Sequence, residues 1–314
     1  MKNATDNNHS GDDHQEVYHT PVMPQETIEG LHIRPDGTYV DATFGGGGHS
    51  REILKHLNEK GRLFVFDQDE AAERNAPDDN RFTFIRQNFR HMYRMLRVKG
   101  VTNVDGILAD LGVSSHQFDE AERGFSIRFD AQLDMRMDNR QTLTAAEVLN
   151  SYDESRLHRM FERYGEVTNS KTLARLVVTA RKVSPFATIS EFKRVLHPIV
   201  KGNPNKYFAQ VFQALRIEVN DELGALNELL EQSVPLLNAR GRLVIITFHS
   251  LEDRVVKHFF KFGSHEEPVA DDIYGVRPES QLKVINKKPI EATTEELKRN
   301  SRSRSAKLRI AEKK

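Results

Sequence analysis

Short apolar runs and helix-period stretches alternate through the first third of the chain. Residues 38–44 form a β-prone run that ends in four glycines. Residues 49–58 follow with Ile53, Leu54 and Leu57 at helical spacing. Residues 62–67 have the unbroken apolar character of a buried strand, 70–75 read as a short helix, 82–86 as a third strand and 90–99 as a third helix. Residues 104–110 form a fourth strand. Strands and helices that alternate across short loops predict an α/β fold built on a doubly wound parallel sheet.

The alternation then stops. Residues 111–240 read as helix and loop up to a strand at 241–248. In 153–164, Leu157, Met160, Phe161 and Tyr164 share one helical face, and Leu173, Leu176, Val177 and Ala180 do so in 168–183. A third such stretch covers 190–200, and Lys201-Gly-Asn-Pro-Asn-Lys206 is a breaker. Residues 207–237 read as one long helical region with Phe208, Val211, Phe212, Leu215 and Val219 as its stripe. A helix at 251–262 and β-prone segments at 282–286 and 307–311 close the chain. The expected organisation is a leader at 1–17, a sheet domain from 18–117 and 207–314, and an inserted helical domain at 118–206. The 314 residues suit about two domains.

Composition narrows the chemistry. The chain contains no cysteine, which excludes disulfides, thiolate metal sites and any cysteine nucleophile. The histidines show no metal-ligand spacing, so no metal is expected. No apolar run nears the ~20 residues of a membrane span, and the polar start lacks a signal-peptide layout, so the expected location is the cytoplasm. Lys plus Arg and Asp plus Glu number 46 each, but the balance is local. Residues 1–17 carry −3, whereas 151–201 carry +5 and 286–314 carry +6, which suggests an anionic partner for the basic regions.

Asp41-Ala-Thr-Phe-Gly-Gly-Gly-Gly-His49 falls where strand turns into helix, the position at which doubly wound sheets bind ligands. It lacks the Lys of a phosphate-binding loop, and a dinucleotide fingerprint started at Gly45 meets Ser50 in place of its third small residue. An acidic strand end before a glycine turn suits S-adenosylmethionine, with the Asp41 carboxylate serving the ammonium group. Asp67, ending the second strand, is placed to accept both hydroxyls of an adenosine ribose. NAD is the second candidate cofactor.

The fourth strand ends in Asp110-Leu-Gly-Val-Ser-Ser-His-Gln117, followed by Glu122-Arg-Gly-Phe-Ser126 and Leu133-Asp-Met-Arg-Met-Asp138. With His19-Thr-Pro-Val22, the Asp41–Ser50 loop, Phe212-Gln-Ala-Leu-Arg-Ile217, Phe248-His-Ser-Leu-Glu-Asp-Arg254 and Arg304-Ser-Ala-Lys-Leu-Arg309, these segments resemble, in order, the bacterial methyltransferases that modify the N4 amine of a cytidine in 16S ribosomal RNA. The resemblance runs from about residue 18 to the end. It implies a class I methyltransferase fold with a helical insert, S-adenosylmethionine as cofactor, and a target in the decoding centre near the P site of the small ribosomal subunit. Carried over by position, cofactor contacts fall on Gly47, Gly48, His49, Asp67, Phe89, Asp110 and Gln117, with Phe89 facing the adenine. Gly46 stands where some members carry a larger residue, which leaves the motif intact.

A cytosine amine is a poor nucleophile, so transfer needs acceptors for its N–H groups and an in-line methyl. Asp110 or the Leu111 carbonyl is the candidate acceptor, although Asp110 serves equally well as a cofactor contact. Amine methyltransferases often place Asp/Asn-Pro-Pro-aromatic here; this chain has neither the prolines nor the aromatic, so the stacking ring is sought in Phe125 or Phe248. Ser250 with Asp253 reads as a helix cap, with Phe248 and His249 bordering the base pocket. Arg156, Arg159 and Arg163, then Lys171, Arg175 and Lys182, recur at helical spacing as candidate phosphate contacts, and residues 301–305 read as either an RNA contact or a solvated turn. An NAD-linked oxidoreductase and a non-catalytic ribosome-assembly factor are the alternatives.

Overall fold

The computed structural model describes residues 21–114, 117, 120–266 and 279–314; the leader expected at 1–17 lies outside them. The strands are β1 (Thr38–Asp41), β2 (Arg62–Phe66), β3 (Phe82–Ile85), β4 (Val104–Asp110), β5 (Leu237–Thr247), β6 (Leu282–Val284), β7 (Ile290–Glu291) and β8 (Lys307–Lys313). They form one sheet in the order β3-β2-β1-β4-β5-β8-β6, with β7 also on β8. Pairings from β3 to β5 are parallel, and β8 lies antiparallel to β5, with Thr247 opposite Lys307 and Arg242 opposite Glu312. The strand order reverses between β1 and β4, which opens a crevice at their carboxyl ends.

Period-two alternation sends neighbouring residues to opposite faces of the sheet. Val40, Phe64, Phe66, Ile107, Leu243 and Ile245 bury one face. There they meet α4 (Met92–Val98), α10 (Glu222–Leu236) and α11 (Ser250–Phe262) through Met92, Leu96, Leu226, Leu230 and Phe259. Tyr39, Leu63, Val65, Leu108, Val244 and Ile246 bury the other face with Leu31 of α1 (Pro24–Leu31) and Ile53 of α2 (Gly48–His56). The short α3 (Glu70–Glu73) starts on an Asp69 cap, and α12 (Thr294–Arg299) on a Thr293 cap.

A third cluster is mainly helical, with Phe125, Leu133, Met135 and Met137 joining it from loops. It is built by α5 (Ala145–Ser151), α6 (Glu154–Gly165), α7 (Ser170–Ala180), α8 (Ile189–Leu196) and α9 (Pro204–Asn220), and the stripes expected on 153–164 and 168–183 lie in it. The expected single helix over 207–237 is two helices. Asp221 adopts a left-handed conformation (φ 47°) and breaks α9 from α10. Phe208, Val211, Phe212, Leu215 and Val219 on α9 all pack into the helical cluster, whereas Leu226 and Leu230 on α10 pack against the sheet. The change of body therefore comes at Asp221 rather than at the expected 206/207 boundary. No helix among the described residues is long and apolar enough to cross a membrane.

Candidate active site

A cavity of about 410 Å³ opens at the carboxyl ends of β1, β2 and β4, within the ~300–1,000 Å³ typical of small-molecule sites. Its floor is the glycine loop. Phe44 O accepts the Gly47 N–H (2.8 Å), and Gly45 and Gly47 take φ of 51° and 73°. A Cβ on Gly47 would stand 2.9 Å from the Phe44 ring, so both conformation and space demand glycine there. A Cβ on Gly46 meets nothing within 4 Å, so a larger residue fits. Gly45, Gly46, Gly48 and His49 line the cavity.

Asp41 differs from its expected role. Its carboxylate accepts Ser50 Oγ–H (2.7 Å) and Thr43 N–H (3.1 Å), is 1% exposed, and is absent from the cavity wall. Burial raises its pKa against the Ser50 hydrogen bond. The geometry is that of a tie between the end of β1 and the start of α2, which shapes the loop rather than presenting a charge to a ligand.

Asp67 does face the cavity. Oδ2 accepts the Gly45 N–H (2.8 Å) and Oδ1 the Asp69 N–H (2.8 Å). A carboxylate has about four acceptor sites, so each oxygen keeps one for a ligand. Burial pushes its pKa up to about 6, against the two backbone hydrogen bonds.

At the end of β4, the Asp110 N–H donates to Thr43 Oγ1 (2.6 Å), which braces it against the glycine loop. Asp110 Oδ2 lies 3.5 Å from His49 Nε2. Oδ1 is buried without a hydrogen-bond partner among the described residues. Burial lowers the His49 pKa, but the Asp110 carboxylate, aided by Asp41, more than reverses this and raises it. Asp110, Leu111 and Gly112 all line the cavity.

The remaining wall comes from several loops. Phe89 starts a helical turn after β3, capped by Asn88. Gln117 is buried and donates to Asp69 Oδ2 (2.9 Å), and the Arg123 guanidinium pairs with the same oxygen. Arg123 Nη2 also donates to the carbonyls of Arg136 and Met137 (2.9 and 3.1 Å), which draws the 133–138 motif onto the cavity. Asn220 of α9 holds the same segment, accepting the Met137 N–H (2.7 Å) and donating to Met135 O (2.8 Å). Much of the Arg/Asp density in these loops is self-bracing, with Arg136 forked onto Asp134 and Arg140 onto Asp138.

Of the two candidate rings, Phe248 lines the cavity, whereas Phe125 is buried in the helical cluster. The Ser250 cap is corrected: the α11 cap is His249, whose side chain accepts the Glu252 N–H, while Ser250 Oγ turns to Glu166. His249 does not line the cavity. Residues 301–305 form a short 3₁₀ helix with Ser303 buried, and Asn300 and Arg302 reach the cavity. Sequence reasoning missed that pair, and also Asn75, Gln87 and Asn88, because no local pattern links them to the loop they face. On the helical body, Arg159, Arg163, Lys171 and Lys182 are exposed, while Arg156 pairs with Glu218 (3.1 Å) and Arg175 lies 3.7 Å from Glu154.

The residues present fit S-adenosylmethionine. Asp67 keeps an acceptor site open on each oxygen, the Phe89 side chain lines the same cavity, and no phosphate-binding Lys stands in the loop. Fold and site together define a class I, S-adenosylmethionine-dependent methyltransferase. Comparison with known proteins gives the same class: the profile of the MraW methylase family matches residues 16–314. The chain belongs to that family. It is 55% identical over 298 residues to ribosomal RNA small subunit methyltransferase H of Parabacteroides distasonis, covering 94% of this chain and 97% of that one. The proteins of the same name from Phocaeicola vulgatus and Flavobacterium psychrophilum are each 53% identical, covering 95% and 93% of this chain and 98% and 100% of theirs.

Proposed function

We propose that the chain methylates the exocyclic N4 amine of a cytidine in the decoding centre of 16S ribosomal RNA, in the cytoplasm and on the small ribosomal subunit. The carrying observation is the end of β4: Asp110, whose side chain stays 23% exposed, lines the same cavity as Phe248. When bound, S-adenosylmethionine supplies an electrophilic methyl group. Asp67 and Phe89 hold the nucleoside end, with Gly47 and Gly48 shaping the turn beneath it and Gln117 closing the side through Asp69. Asp110, with the Leu111 carbonyl, accepts the amine N–H bonds and draws the lone pair out of conjugation. Phe248 stacks on the base. The amine becomes acidic only as its new bond forms, so the proton it then sheds passes to the Asp110 carboxylate that accepts its N–H, and no strong base is needed. With no cysteine in the chain, the adduct route used at cytosine C5 is closed.

Glu222, His249 and Glu252 bring three ligand atoms within 4.8 Å of one another. Arg216 forks onto Glu222 (2.8 and 3.0 Å) and His249 faces Glu252 (3.2 Å), so the cluster reads as paired charges, and we assign no metal to the reaction. Exposed Arg159, Arg163, Lys171 and Lys182 on the helical body suit RNA phosphates, while the cavity takes the splayed base. The test is label transfer from S-adenosylmethionine to small subunits that lack the modification. Asp110→Ala is expected to abolish transfer while cofactor binding persists; full activity in that variant would remove Asp110 from the mechanism.

A further inference from the structure

The last residue group at the end of β5 is tied down in an unusual way. Phe248 N–H donates to Glu252 Oε2 (2.8 Å), and Glu252 is only 2% exposed. Its other oxygen faces His249 Nε2 at 3.2 Å, while His249 Nδ1 accepts the Glu252 N–H (3.4 Å). Arg216, on α9 of the helical body, grips Glu222 at the start of α10 with both arms of its guanidinium, and a Glu222 carboxylate oxygen lies within 4.8 Å of one of Glu252. Burial alone would raise the Glu252 pKa; His249, the Phe248 N–H and Arg216 outweigh it and hold the carboxyl below its ordinary value. The Phe248 ring meets the β4 loop on its other side, where a Cβ on Gly112 (φ 98°) would come 3.5 Å from it.

A helix start needs no such network. The His249 side chain already caps α11, and an uncharged Gln would accept the Phe248 N–H as well. What the buried carboxylate adds is a charge-mediated link from the helical body to one backbone N–H, that of the residue in the cavity wall. We propose that Glu252 is a positioning residue that fixes Phe248 against the acceptor base and couples that position, through Arg216, to the docking of the helical body. The inference rests on the reading of the cavity as the acceptor-base site.

Steady-state transfer to unmodified small subunits, with cofactor affinity measured in parallel, tests it on Glu252→Ala, Glu252→Gln, Phe248→Ala and the Glu252→Ala/Phe248→Ala double variant. Glu252→Ala is expected to lower kcat by a factor comparable to that of Phe248→Ala, with the cofactor Kd within twofold of wild type. The double variant is expected to be no worse than Phe248→Ala alone, because the two residues act as one unit. Glu252→Gln, which keeps the acceptor but not the charge, is expected to recover part of the rate; where Glu252→Ala fails to fold, this variant and Arg216→Gln carry the test. A lower melting temperature with unchanged kcat and KM would make Glu252 a cap only. Multiplying losses in the double variant would sever it from Phe248. Activity that falls on chelation and returns with zinc would make the cluster a metal site instead. Wild-type transfer scores the functional reading, and coupling between positions 248 and 252 scores this one, so the two fail separately.

Discussion

Asp67→Asn changes one atom of the cavity, and its consequence can be worked from the hydrogen bonds. Both Asp67 oxygens already take a backbone N–H, from Gly45 and Asp69, and each has one acceptor site left for a ribose hydroxyl. Asparagine has a single oxygen, so its NH₂ must point at the Gly45 or the Asp69 N–H, donor against donor, and one ribose hydroxyl loses its acceptor. A hydrogen bond to a charged group contributes about 1.5–3 kcal/mol, so the cofactor Kd is expected to rise roughly 10- to 150-fold. The pH dependence adds a second signature. With its pKa raised by burial to about 6, the Asp67 carboxylate is ionised above that value, and hydroxyl donors bind the ionised form. Wild-type affinity should therefore be full above pH 6 and fall toward about tenfold per pH unit below it, with a proton released on binding near pH 6. The stability of the free protein carries the opposite sign. The folded state holds this proton more tightly than the unfolded chain, so the Asp67 contribution favours folding below about pH 4 and is lost as pH rises to about 6. Calorimetric titration with S-adenosylhomocysteine from pH 5 to 8 measures all of this. His49, whose pKa is also raised, is separated by the variant: pH dependence that survives Asp67→Asn belongs to it. An Asp67→Asn affinity within twofold of wild type, or a wild-type affinity flat across the range, would refute the assignment of Asp67 to the ribose.

The other expectations are independent of that one. Phe248→Ala should leave cofactor binding within twofold and cut transfer about 5- to 150-fold, the worth of one base–aromatic stack of about 1–3 kcal/mol. Phe125→Ala should do the reverse, destabilising the helical cluster by about 3–5 kcal/mol in a denaturant melt. Gly47→Ala places a side chain at φ 73° and 2.9 Å from Phe44, so unfolding should show a loss of about 1–3 kcal/mol with weakened cofactor binding. Replacing Arg159, Arg163 and Lys171 together by Ala should reduce the slope of log affinity for the RNA against log salt by about two to three; an unchanged slope would remove that face from the RNA contact.

Legibility followed the locality of the physics. A sheet covered on both faces buries neighbours such as Val40 and Tyr39, Phe64 and Val65, and Ile245 and Ile246 on opposite sides, so its strands read as unbroken apolar runs and the parallel sheet could be read directly. The stripes of α6 and α7 were equally plain at helical period. Asp67, Asp110 and the glycines lie at strand ends, where the crevice of a doubly wound sheet must open, and of the four glycines all but Gly47 line the cavity. The break at Asp221 was not legible, because an Asp in a left-handed turn between two apolar stripes leaves the periodicity intact on each side. Asp41 was misread for a related reason: a strand-end carboxylate looks the same whether it faces a ligand or, as here, Ser50 and Thr43. Phe125 and Phe248 could be told apart only by packing, since each stands in a polar loop segment that does not reveal which way its ring points. The Ser250 cap failed because its neighbour His249 has a ring nitrogen in reach of the Glu252 N–H.

The central claim is that this cavity delivers a methyl group to an exocyclic amine of cytidine without an enzyme adduct. Its most direct test is the identity of the product. Small subunits lacking the modification are incubated with methyl-labelled S-adenosylmethionine and the enzyme, the RNA is digested to nucleosides, and the labelled species is assigned by retention and fragmentation. A single labelled nucleoside, N4-methylcytidine, is expected, and none with Asp110→Ala. Label in 5-methylcytidine, in the ribose or in another base would contradict it.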